Sequence, residues 1–239
     1  EIFSQWFMIT EPSEVKVNFV NEESSLSFTT TPGQPLSFLV NTTGDDGTVE
    51  VDWGTGSRQA YEGQRAYISG SYEIKGARID GTAAGETVTV YGDLAAIDLS
   101  GYGDMAELLG LHDNKVTAVN LTNAPDLRFL SLYWNPVGSI DLTPVTGLEF
   151  LNVAYTNLKT LDLSHTPELM WLEAFSDGFG FEEDGISMLD AIDVTPLHNL
   201  RYLDVKANSL SSIDLTGCPE LVYAYLGSNR LTSVDLTHN

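Results

Sequence analysis

Leu127-Arg-Phe-Leu130-Ser-Leu132-Tyr-Trp-Asn135-Pro-Val137-Gly-Ser-Ile140-Asp141-Leu142-Thr143 returns in outline as Leu148-Glu-Phe-Leu151-Asn-Val153-Ala-Tyr-Thr156-Asn-Leu158-Lys-Thr-Leu161-Asp162-Leu163-Ser164. The dipeptides Ile97-Asp98, Val119-Asn120, Ile140-Asp141, Leu161-Asp162, Ile192-Asp193, Ile213-Asp214 and Val234-Asp235 carry the pattern onward at intervals of 22, 21, 21, 31, 21 and 21 residues. A fixed period of this size marks a chain that stacks one supersecondary unit, each unit burying its apolar face only against its neighbours.

The phrase inside that period, L-x-x-L-x-L-x-x-N-x-L, is the signature of a leucine-rich-repeat solenoid. The expected fold is mainly β, with about six repeats of 21–22 residues preceded by a small β-sandwich. Period-two alternation makes each L-x-L a strand with its leucines inward. The inward pairs are Leu109/Leu111, Leu130/Leu132, Leu151/Val153, Leu172/Ala174, Leu203/Val205 and Ala224/Leu226. Ile140-Asp-Leu142 and its equivalents supply the opposing wall.

Upstream, residues 1–24 read as a loosely ordered lead-in, although Val15, Val17 and Phe19 alternate as a strand does. Residues 25–93 carry short alternating runs such as Leu26-Ser-Phe28, Leu36-Ser-Phe38, Val49-Glu-Val51 and Val88-Thr-Val90, punctuated by Pro32-Gly33 and Gly54-Thr-Gly56. Such spacing predicts a small sandwich. Residues 94–239 form the repeat region, and the sandwich leads into it without a flexible linker.

Composition limits the partners. Thirty-four acidic and eleven basic residues give a net charge of −23. That surface repels nucleic-acid phosphates and anionic lipid, while keeping the chain soluble. No apolar run approaches the ~18 residues that a membrane span requires. Cys218 is the single cysteine, so it makes no intramolecular disulfide, and its repeat turn suits a small packed residue. The sequence starts at Glu1, so any targeting signal lies outside it. It stops three residues after Leu236 without a polar cap, and the last turn is expected to fray or to have been trimmed.

The units resemble those of the leucine-rich-repeat surface proteins of the Bacteroidetes, through Leu158-Lys-Thr-Leu161-Asp162-Leu163-Ser164 and Pro167-Glu-Leu169. Those proteins often carry a small β domain ahead of the repeats. Here Val51-Asp52-Trp53-Gly54-Thr55-Gly56 resembles the W-G-D-G turn of PKD-like domains, with Thr55 where Asp is usual. The resemblance implies export, commonly as a lipoprotein of the cell envelope, and a binding role without a defined ligand. It leaves room for a lipid anchor outside the sequence.

The outward strand positions are the candidate site. One column reads Leu108, Phe129, Phe150, Trp171, Tyr202 and Tyr223, and all its rings are expected to be partly exposed. A row of flat rings suits sugar rings or an extended peptide. Rings in register on adjacent strands equally stabilise the sheet without any ligand. Beside it runs Gly110, Ser131, Asn152, Glu173, Asp204 and Tyr225, and beyond that His112, Tyr133, Ala154, Phe175, Lys206 and Gly227. The candidate ligand-binding residues are Phe129, Tyr133, Phe150, Trp171, Phe175, Tyr202, Tyr223 and Tyr225.

A further ladder, Asp98, Asn120, Asp141, Asp162, Asp193, Asp214 and Asp235, could line up oxygens for calcium. Each Asp can instead accept a backbone N–H in its own turn, which is the expected arrangement. The insertion at 176–186, with Phe179 and Phe181 beside Glu182, Glu183 and Asp184, should emerge at one edge as a loop. It reads either as an amphipathic tip or as a neutral surface loop.

Motifs for nucleophilic, metal or phosphate chemistry are absent, and the four histidines are scattered. The expectation is a non-catalytic cell-envelope binding protein that recognises protein or glycan on the concave face, with no catalytic residues, metal or cofactor. The alternative is a repeat scaffold serving a separate catalytic partner or domain.

Overall fold

The computed structural model describes residues 23–43, 48–62, 76–100, 114–176 and 188–239 with side chains. Residues 5–11, 14–19, 65–69 and 72–75 are described by backbone alone. Among the described residues the structure is mainly β, with no helix. Residues 5–19, expected as a loose lead-in, form an antiparallel hairpin of β1 (Gln5–Glu11) and β2 (Glu14–Phe19). The alternation at Val15, Val17 and Phe19 is its signature, opposite a run of apolar residues at 6–9.

The expected strands of the front region are β3 (Ser25–Thr29), β4 (Pro35–Thr42), β5 (Val49–Asp52) and β9 (Thr87–Tyr91). Three more, β6 (Arg58–Tyr61), β7 (Arg65–Ser69) and β8 (Tyr72–Thr82), arise from stretches with weaker alternation. With β10 (Leu94–Asp98) and β11 (Ala118–Asn123) they make two sheet portions, ordered β11-β3-β9-β5-β6 and β10-β4-β8-β7. Aromatic residues fill the space between them. Phe28 meets Phe38 edge-on at 5.6 Å, and Phe38 lies 6.1 Å from Trp53. Gly81 leaves room for the Trp53 indole, since a Cβ there would fall 2.3 Å from the ring.

Strand β10 is the junction. It pairs antiparallel with β4 on one side and parallel with β12 (Phe129–Ser131) on the other. The same sheet then continues through β13 (Phe150–Asn152), β14 (Trp171–Glu173), β15 (Tyr202–Asp204) and β16 (Tyr223–Tyr225), all parallel and in register. One connected apolar core runs from Leu26 to Cys218.

The first turn is out of the expected phase. Ile97 pairs with Leu130 and Asp98 with Ser131, so Ile97-Asp98 belongs to the strand and not to the column of Ile140-Asp141. Strand β10 pairs directly with β12; the inward pair expected at Leu109/Leu111 lies outside the described residues. Val119-Asn120 keeps the expected phase but adds a strand to the other sheet, antiparallel to β3.

Leu130/Leu132, Leu151/Val153, Leu172/Ala174 and Leu203/Val205 are buried as the alternation requires. Ala224 is exposed and Leu226 half-buried, because β16 is the edge strand. Three residues beyond each second inward position stand Asn135, Thr156, Asn208 and Asn229. The chain turns just before them through positive φ of 54–58° at Trp134, Tyr155, Ala207 and Ser228. Each such non-glycine residue costs about 1 kcal/mol. Side-chain bonds offset that cost. Asn208 Nδ2 donates to Ala174 O at 2.8 Å and Val205 O at 3.0 Å, while its Oδ1 accepts from Leu189 N at 2.9 Å. Asn135 does the same three rungs earlier in the stack, toward Leu99 O and Val116 N.

Candidate functional site

Parallel, in-register strands place equivalent residues directly above one another at ~4.8 Å. That is why Phe129, Phe150, Trp171, Tyr202 and Tyr223, the first residues of β12 to β16, form one column. Their rings stack on each other. Phe129 and Phe150 are 4.1 Å apart and 1° from parallel; Trp171 and Tyr202 are 3.7 Å apart and 7° from parallel. Between those pairs the Phe150–Trp171 step widens to 6.4 Å, and Tyr223 tilts 50° from Tyr202. Stacking of this kind occupies the ring faces and leaves mainly edges outward. Phe150, clamped between two neighbours, is only 7% exposed, which corrects the expectation that every ring of the column is open. Tyr223 at the edge of the sheet is 56% exposed.

One residue before each ring lies a row that reading the strand alternation alone overlooks: Arg128, Glu149, Met170, Arg201 and Val222. With the rings they line an open groove of ≈ 680 Å³. Backbone bonds fix this row. Arg128 O accepts from Glu149 N and Phe150 N, Glu149 O from Met170 N and Trp171 N, and the pattern repeats at Met170 O and Arg201 O. Arg128 Nη1 donates to Gly147 O at 2.8 Å. Arg201 stands further out, 4.0 Å from Glu220, with both side chains largely exposed. Strand alternation gave no signal for this row, because each of its residues stands just ahead of the strand.

On the other flank of the rings the row is polar. Glu173 accepts from Trp171 Nε1 at 3.0 Å and from Asn152 Nδ2. Burial pushes its carboxyl upward, reinforced by Asp204, while the bond from Trp171, the charge of Lys206 and the bond from Asn152 pull the other way. Asp204 is buried and accepts from Lys206 Nζ at 2.7 Å. The Lys206 ammonium also lies 4.0 Å over the ring of Phe175. Tyr202 is half-buried, and burial, with Asp204 and Glu173 close by, pushes its hydroxyl up to about 12, so it stays protonated at physiological pH.

Tyr133 and Phe175 gather with Tyr155, at 5.4 Å from Tyr133 and 5.3 Å from Phe175, both edge-to-face. Trp134 joins them at 4.6 Å from Tyr155. Tyr225 is separate from this group, 5.5 Å from Tyr202. Of the eight candidate residues, five therefore form a stacked column and two, Tyr133 and Phe175, a second cluster, while Tyr225 continues the row of Glu173 and Asp204 between them. The insertion loop falls outside the described residues.

The exposed aspartates bind their own backbone. Asp141, Asp162, Asp193, Asp214 and Asp235 each accept the N–H two residues on, at 2.9–3.0 Å. Bonds from Thr143, Ser164, Thr216 and Thr237 hold the carboxyls of Asp141, Asp162, Asp214 and Asp235 below the usual range. Asp98, on its strand, is buried and bonds Ser100 N. Among the described residues no three metal-capable side chains converge.

No protein-family model and no curated protein matches the chain. Among solved structures, it is similar to the functional domain of InlJ from Listeria monocytogenes, which includes a cysteine ladder. The identity is 30% over 52% of this chain and 26% of that one, with a TM-score of 0.46. The chain thus spans about a quarter of that protein's length.

Proposed function

We propose that this chain is a non-catalytic binding module and that it receives an extended segment of a partner protein in the groove along Met170, Val222 and the ring edges. The observation that carries this reading is the groove itself, apolar over most of its lining and open along five successive rungs. Exposed apolar side chains concentrate at one end of it: Met170 is 38%, Val222 65% and Tyr223 56% exposed. A contiguous patch of that kind, rimmed by charge, is what docking surfaces have in common.

A glycan is the second reading, favoured by the strip of Asn152, Glu173 and Asp204 beside aromatic rings. It is the weaker one, because sugar recognition uses ring faces and these faces are taken up by neighbouring rings. The resemblance of the repeats to envelope proteins supports an exported, surface location. The scaffold alternative keeps the same groove but gives it a catalytic partner.

The test is selection of binders from a random peptide display library on the 239-residue protein. Binders that lose at least tenfold in affinity to both Met170→Glu and Val222→Glu support the reading. Binders indifferent to both substitutions place recognition elsewhere.

A further inference from the structure

The charges of the repeat region are sorted by face. Asp141, Asp162, Asp193, Asp214 and Asp235 occupy the turns, and Glu173 and Asp204 lie on the far side of the ring column. Of the acidic residues at 114–176 and 188–239, Glu149 alone lines the groove, where it is outnumbered by Arg128 and Arg201. A chain of net charge −23 thus sets two guanidiniums against a single carboxylate in the lining of the groove, with Glu220 at its margin beside Arg201.

The two guanidiniums differ in what holds them. Arg128 is tied to the Gly147 carbonyl, and its planar group occupies the space a Cβ at Gly147 would need. Among the described residues the Arg201 guanidinium has a single ion-pair contact, at 4.0 Å to the exposed carboxylate of Glu220, an arrangement that solvent and salt weaken. Arg201 therefore has donors to offer a ligand. It stands between the two most open apolar positions of its row, Met170 and Val222 on the adjacent rungs.

We propose that the groove reads an acidic side chain flanked by apolar ones. The partner segment is an extended peptide whose carboxylate pairs with Arg201 and whose neighbouring apolar side chains rest on Met170 and Val222. Residues i, i+2 and i+4 of an extended segment share one face, so the acidic side chain at i+2 meets Arg201 while those at i and i+4 reach toward Met170 and Val222. This deepens, and rests on, the reading of the groove as a peptide-docking surface. A carboxylate-bearing glycan would satisfy Arg201 but would leave the apolar positions without partners.

The probes are the blocked peptides Val-Thr-Asp-Thr-Val, Val-Thr-Ser-Thr-Val and Val-Thr-Lys-Thr-Val, which put the apolar and the central side chains on one face of an extended segment, together with an oligogalacturonate, titrated against the full chain at 0.15 M salt. The Asp peptide should bind about fivefold tighter than the Ser peptide, the size of one exposed ion pair. Arg201→Glu, an exposed substitution expected to melt close to the parent, should abolish that preference and turn it toward the Lys peptide. Equal binding of Asp and Ser peptides, both weakened by Met170→Glu, overturns the charge reading while leaving the docking surface intact. Arg201-dependent binding of the oligogalacturonate without any peptide overturns it in favour of an acidic glycan. Failure of every probe to bind overturns both the inference and the reading beneath it.

Discussion

Trp171 and Tyr202 lie face to face on neighbouring strands, 3.7 Å between ring centroids and 7° from parallel, and the Trp171 indole N–H is spent on Glu173. The ring that reads most readily as a ligand platform is therefore also a fixed part of the sheet. Replacing it should be felt by the fold.

Trp171→Ala should cost about 2 kcal/mol in urea unfolding, combining lost stacking and burial with an orphaned carboxylate oxygen on Glu173. Trp171→Phe keeps the stack and should cost no more than about 1 kcal/mol. Equal, negligible losses for both would mean that the ring contributes nothing to the sheet.

Glu173 should make stability depend on pH in a defined direction. Its folded carboxyl is raised above the ordinary value of 4.5, burial being the main cause. A raised acid contributes stability that is complete below the unfolded value and lost as pH rises through the folded one. Glu173→Gln removes that dependence, so the melting temperature of the variant relative to the parent should be higher at pH 7 than at pH 4. The opposite order would show that the bonds from Trp171 and Asn152 outweigh burial.

The turn aspartates carry the contrary sign. The carboxyl of Asp162 is held below its usual range by Ser164, so its contribution is present above about pH 4 and fades as the pH falls through the folded value. Asp162→Asn retains an oxygen for Ser164 N, as Asn120 does for Thr122 N, and should melt close to the parent at pH 7. Asp162→Ala should melt lower. Neither calcium nor a chelator should shift the melt of the parent, and a calcium-dependent rise of several degrees would mean that the ladder binds the ion.

Asn208→Leu should be severe. It leaves Ala174 O and Leu189 N without their side-chain partner, at about 1–3 kcal/mol for each buried group left unsatisfied, while Val205 O keeps its bond from Asn229 Nδ2. Asn199→Ala, on the exposed surface, is the control and should stay within about 0.5 kcal/mol. Comparable melts for the two would remove the Asn column from the account of why the turns hold.

The repeat period and its leucines were legible because each inward residue meets its own equivalent on the next rung, so the pattern is local and repeated. The phase of Ile97-Asp98 was not. Its sequence copies Ile140-Asp141, and only pairing to β4 and β12 distinguishes the two. The hairpin of β1 and β2 showed itself as alternation at Val15, Val17 and Phe19, but nothing in sequence announced its partner strand. At the site, the aromatic column was visible and its stacking was not, since ring orientation depends on rotamers that neighbouring rings select together. The row of Arg128, Met170 and Arg201 was invisible for another reason: it lies just outside the strands, where alternation assigns no face.

Methionine methyl groups offer the most direct test of the central claim, that the groove beside the rings is the docking surface. Met170 lines the groove and Met188 is exposed outside it. In protein labelled with 13C at the methionine methyls, titration with a display-selected peptide should move the Met170 resonance and leave that of Met188 in place. A shift at Met188 with Met170 unmoved would contradict the account.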